Sequence, residues 1–159
     1  MAAAQSPSPL VFVVLGGVVA GTMDIVYAMT FWAVKANVAP TRVLQSVAAG
    51  LLGRASFQGG GKTAALGLFL HFFIALSISA TYYALARAWP LLHQKPWICG
   101  AVYGLGVYLT MNYVIIPLSA ATPGSKDPLW VVLSVLVHMF LIGVPVALAA
   151  REAMRRTGF

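Results

Sequence analysis

The 159 residues are 60% hydrophobic and only 8% charged, with a mean hydropathy of +0.88 and a net charge of +7. Soluble domains are about 45–50% apolar, so that class is excluded and lipid is the solvent for most of the chain. The positive charge does not indicate nucleic acid, because the basic residues stand at the ends of apolar stretches, where lysine and arginine meet lipid headgroups.

One integral membrane domain, 1–159, accounts for the length. Residues 1–9 hold two prolines, two serines and no basic residue, and are expected to be a disordered lead. A cleavable signal peptide needs a basic start and an apolar region of about 7–15 residues, so the first helix is expected to be retained. A lone Cys99 has no internal disulfide partner and reads as a small packing residue.

The first span covers residues 10–36, longer than the roughly 20 needed to cross a bilayer. It carries Asp24 near its middle. An ionised carboxylate there costs at least ~2.5 kcal/mol on insertion scales, so it needs a partner, water or a proton. Gly17, Gly21, Asp24 and Ala28 share one stripe, and the two glycines predict close approach of another helix.

Pro40 ends that span. Over residues 41–56, Val43, Leu44, Val47, Ala48, Leu51, Leu52 and Ala55 recur at helical spacing, with Arg42, Gln45, Ser46, Gly50, Gly53 and Arg54 largely opposite. This predicts an interfacial amphipathic helix in the headgroup plane, with Arg42 and Arg54 reaching phosphates; recruitment of a partner is the alternative. Residues 58–62 form a glycine-rich hinge. Gly61-Lys62-Thr63 is no Walker motif, because Ser56 stands where its first glycine belongs and no strand precedes it, so nucleotide binding is rejected.

The second span, 63–89, contains His71 and ends in Tyr82, Tyr83 and Trp89, aromatics suited to the bilayer interface. His93, in the loop that follows, reads as solvated. The third, 97–120, places Gly100, Gly104, Tyr108 and Asn112 on one stripe, with Gly100 and Gly104 as a packing face and Pro117 loosening the last turn. Lys126 and Asp127 read as a solvated pair in the turn beyond. The fourth, 128–150, carries Ser134, His138 and Pro145, and a basic tail follows. The expected fold is therefore all-α: a four-transmembrane-helix bundle with an interfacial helix between the first two spans.

Alternating span directions put Asp24, His71, Asn112 and His138 within about 5 Å of a common depth. Three uses are open. They can form a site for protons, ions or a small polar ligand; they can merely clasp the helices, the protein then being a structural or assembly partner; or His71 and His138 can ligate a haem or metal. No paired ligand motif, nucleophile elbow or carboxylate pair supports the third or an enzyme, so metal and cofactor are undefined and no catalytic residue is assigned. The partners expected are the bilayer and, in addition, a second copy or a membrane protein.

Three runs, Gly21-Thr22-Met23-Asp24-Ile25, residues 42–53 and Ala65-Leu66-Gly67-Leu68-Phe69-Leu70-His71, together with residues 111–120, resemble an uncharacterised family of small bacterial inner-membrane proteins. The resemblance implies a four-helix protein of the inner (cytoplasmic) membrane and supplies no functional residues. A more distant likeness links the four-span plan and membrane histidines to the YagU-type acid-resistance-associated proteins. Basic residues divide equally between the two faces; the basic tail favours both termini in the cytoplasm.

Overall fold

In the computed structural model, which describes residues 8–157, Pro9 opens the first long helix, where its missing N–H does no harm. Of the disordered lead expected over residues 1–9, residues 1–7 lie outside the described residues, while Ser8 is the N-cap of α1 and Pro9 its first residue. Helix α1 (Pro9–Ala36) stops at Asn37, whose left-handed backbone (φ 51°) turns its N–H back onto Ala33 and Trp32. Four further helices and one short turn follow: α2 (Pro40–Leu52), α3 (Gly60–Ala88), the one-turn α4 (Leu91–Gln94), α5 (Pro96–Leu118) and α6 (Pro128–Arg156). Of these, α1, α3, α5 and α6 are long and apolar enough to cross a membrane.

Their outward faces carry Leu10, Val14, Phe69, Phe73, Val102 and Val132, all exposed. Water would not tolerate so continuous an apolar surface, and a bilayer would. The chain is therefore a multi-pass membrane protein. Several helix ends differ from expectation, and α3 begins at Gly60, within the stretch 58–62 expected as a hinge. Helix α5 stops at Leu118, because Ser119 is extended, whereas α6 runs on past Ala150, where Arg155 and Arg156 pair with Glu152 at helical spacing.

Helix α1 packs on α3 and α6, and α5 packs on α6. Gly17 and Gly21 lie against Leu76, Ala75 and Phe72 of α3. Gly100 and Gly104 lie against Gly143 and His138 of α6, so closely that a Cβ on Gly104 would collide with the His138 carbonyl. The densest packing is towards the termini, where Ala20, Tyr82, Ala86, Val146, Ala147 and Ala150 are buried together. Tyr82 donates to the Leu92 carbonyl (2.8 Å), and His93 lies half-buried with a ring nitrogen 3.4 Å from the Ala86 carbonyl, so it is not simply solvated.

Helix α2 is packed along α3, and its polar residues do not all face outward. Gln45 is buried and donates to the Gly60 carbonyl (3.0 Å), while Leu51 and Leu52 are exposed. The helix ends four residues short of the expected position 56 because Gly53 takes φ +58°, which only glycine adopts easily, and a 3-10 turn (Gly53–Gln58) leads into α3.

Two of the spanning helices contain a π-helical turn, Met111–Ile115 in α5 and His138–Gly143 in α6. Each has a proline two residues beyond its end, Pro117 and Pro145. The ring of a helical proline clashes with the carbonyl four residues back, here Tyr113 and Leu141, both inside the widened turns. The wider winding gives each ring its space.

Candidate functional site

Asp24, His71, Asn112 and His138 come from α1, α3, α5 and α6, and all four line one cavity of about 510 Å³. Asp24, His71 and His138 lie about three turns below the helix ends Ala36, Gly60 and Pro128, and Asn112 lies under two turns from Leu118. All are half-buried. Residues of α2 and of the loop 119–127 also line the cavity, the loop joined to α2 by the Ala120 N–H bonding to the Gly50 carbonyl at 3.0 Å.

The four do not hydrogen-bond or ion-pair with one another among the described residues. His71 Nε2 donates across the helix interface to the Gly21 carbonyl at 2.7 Å. His138 Nδ1 donates to the Ser134 carbonyl at 2.8 Å, and Asn112 Nδ2 to the Tyr108 carbonyl at 2.9 Å, each within its own helix and at the start of a π turn. A carbonyl can only accept, so the tautomers follow. In the neutral rings the lone pairs are on His71 Nδ1 and His138 Nε2. Asn112 keeps its Oδ1, and among the described residues Asp24 makes no hydrogen bond or ion pair.

These two ring nitrogens are also the ones that could ligate a metal or haem iron. Among the described residues, however, no three His, Cys, Asp or Glu side chains gather closely enough to hold a metal ion. A cavity of this size has room for water or for a small molecule beside Asp24.

The sequence stripes extend to site residues not singled out beforehand. Tyr27, one turn from Asp24, has its hydroxyl 3.5 Å from Ser134 Oγ and stacks on Trp130 at 5.4 Å. Trp32 and Trp130 line the cavity, and the Tyr108 ring meets His138 edge-on at 5.3 Å. Continuing each stripe by a further turn towards the α2 side would have found Tyr27 and Trp130. No local signal places the π turns except the two prolines.

Arg42 also lines the cavity, exposed near its mouth, with its guanidinium 4.5 Å above the Phe57 ring. Arg54 is exposed elsewhere on the same side. Asp127 does not pair with Lys126 as expected. It accepts from Lys35 at 2.8 Å and caps α6 through the Trp130 N–H at 3.0 Å. The Lys35 hydrogen bond, then the Trp130 N–H, hold its carboxyl below the ordinary value of 3.8.

Fold and cavity together define a multi-pass α-helical membrane protein with an internal polar chamber. The chain matches no protein-family model, no curated protein and no solved structure.

Proposed function

We propose that this is a non-enzymatic protein of the bacterial inner membrane whose Asp24, His71, Asn112 and His138 form a binding site for protons, ions or a small polar ligand, reached from the α2 side. The observation that carries this reading is that all four line one cavity while forming no bond with each other. A clasp would have joined them. Only His71 bonds to another helix, through the Gly21 carbonyl, and the carboxylate is left facing the chamber.

In the same reading α2 lies at the headgroup level as a partial lid, its arginines towards phosphates, and both termini are cytoplasmic, where the Arg151, Arg155 and Arg156 tail satisfies the positive-inside tendency. The test is proton uptake by proteoliposomes under an imposed pH step. Asp24→Asn should abolish the protein-dependent component while far-UV circular dichroism and elution volume stay unchanged. Unaltered uptake would refute the site; uptake lost only together with the fold would favour the clasp.

A further inference from the structure

We infer that the occupant of this chamber is an organic cation, a primary or secondary ammonium carried on an apolar body, with Asp24 as its counter-ion. The inference rests on the reading of Asp24, His71, Asn112 and His138 as a binding site. It comes from counting what the chamber offers. His71 and His138 each spend their ring N–H on a backbone carbonyl, and Asn112 spends an amide N–H likewise. On the residues that line the chamber, the acceptors left unspent are the Asp24 carboxylate, His71 Nδ1, His138 Nε2 and Asn112 Oδ1; the donors are Arg42, the second Asn112 N–H, the Tyr108 hydroxyl and the Trp32 and Trp130 indoles, and Asp24 is the one carboxylate in the wall among the described residues. The complement of that carboxylate carries positive charge and N–H donors.

Size and spacing choose among cations. A bare metal ion needs several ligands converging at about 2.0–2.6 Å, and among the described residues no three candidate ligands gather that closely. An ammonium works at hydrogen-bond lengths of about 2.7–3.2 Å and tolerates acceptors spread around it. A proton alone leaves a volume of about 510 Å³ unaccounted for, within the range of about 300–1,000 Å³ common for small-molecule pockets. The remaining walls are apolar or aromatic, among them Ile74, Val107, Met111, Trp32 and Trp130. They suit a hydrocarbon body, and the indole faces attract a cation that passes them.

The titratable groups facing the chamber are Asp24 from α1, Arg42 from α2, His71 from α3, Tyr108 from α5 and His138 from α6. Arg42 is the one lysine or arginine among the described residues that line the chamber. It is exposed, and salt at about 0.1 M weakens its reach to the carboxylate.

The full chain in lipid nanodiscs supplies its own reporters, because Trp32 and Trp130 line the chamber. Fluorescence titrations with benzylammonium, neutral benzyl alcohol and benzoate compare three bodies of nearly equal size. Saturable binding of benzylammonium is expected, with benzyl alcohol and benzoate each about tenfold or more weaker. Asp24→Asn should weaken benzylammonium about tenfold or more and Asp24→Glu far less. Equal binding of benzyl alcohol, a preference for benzoate, or full affinity in Asp24→Asn overturns the inference. If Asp24→Asn does not fold, the ratio of benzylammonium to benzyl alcohol in the unaltered protein decides alone. Asp24-dependent proton uptake without benzylammonium binding overturns this inference and leaves the proton or ion site standing; absence of both overturns both.

Discussion

Towards the chain termini, Gly16 meets Ala149, Ser79 donates to the Val13 carbonyl at 2.7 Å, and Tyr82, Val146 and Ala147 are fully buried; on the α2 side the same four helices stand around a chamber of about 510 Å³. The difference lies in the side chains at the crossings. Glycine and alanine let backbones touch, and Tyr82, edge-on to Tyr103, fills the space that is left, so the first half closes. On the other side Tyr27, Phe31, Trp32 and Trp130 form a cluster at the rim, and π turns widen α5 and α6. Large rings prop helices apart, and the polar groups occupy the space between. The packed half thus supplies stability, and the hollow half can hold groups that serve no packing purpose.

Substitutions should separate the two halves. The largest effect is expected for Gly104→Val, whose side chain would displace the His138 carbonyl and force α5 from α6. A loss above about 4 kcal/mol, read as failure to recover monodisperse protein or a collapse of the thermal midpoint in detergent, follows from overpacking a backbone contact. By contrast Ala28→Leu, in the wall of the chamber, should change stability by under about 1.5 kcal/mol, because its added atoms have somewhere to go. Equal sensitivity at both positions would break the distinction.

Tyr82→Phe comes next. It leaves the Leu92 carbonyl without its 2.8 Å donor in the closed half and should cost about 1–3 kcal/mol in the same melts. Asp24→Asn should leave the midpoint unchanged or raise it, since it removes an unpaired carboxylate from the membrane interior, even as it removes uptake. A strong destabilisation would turn Asp24 into a structural residue.

The smallest effect belongs to Asp127. Its carboxyl is held low, so its contribution is present above the ordinary value of 3.8 and disappears as the pH falls from there through the lower folded value. Asp127→Asn should therefore melt slightly lower than the unaltered protein at neutral pH and equally at strongly acid pH. A gap that persisted in acid would assign the effect to something other than the Lys35 bridge and the cap.

Four spans, their order and their polar residues are legible in the sequence because each depends on local composition. A run of apolar residues has one stable form in lipid, the helix, and a proline marks where it starts or ends. Depth is less local: rise per residue is fixed, but it is counted from helix ends, and because α5 ends at Leu118 Asn112 lies under two turns from its end where Asp24, His71 and His138 lie about three. The interior of α2 was less legible: Gln45 belongs to its polar pattern but is buried, because the Gly60 carbonyl at the start of α3 needs a donor that only the tertiary arrangement brings within reach. Asp127 likewise has Lys126 beside it in sequence, yet bonds Lys35, since the end of α1 and the start of α6 meet across the bundle.

What each polar side chain faces was decided by the tertiary structure alone. The sequence by itself placed a carboxyl, two imidazoles and a carboxamide inside the four spans, one in each. Whether they met one another, faced lipid or stood around a space depended on helix rotation and separation, set by glycine contacts at one end and aromatic rings at the other. They stand around a space because backbone carbonyls take up their N–H groups and rim aromatics keep the helices apart.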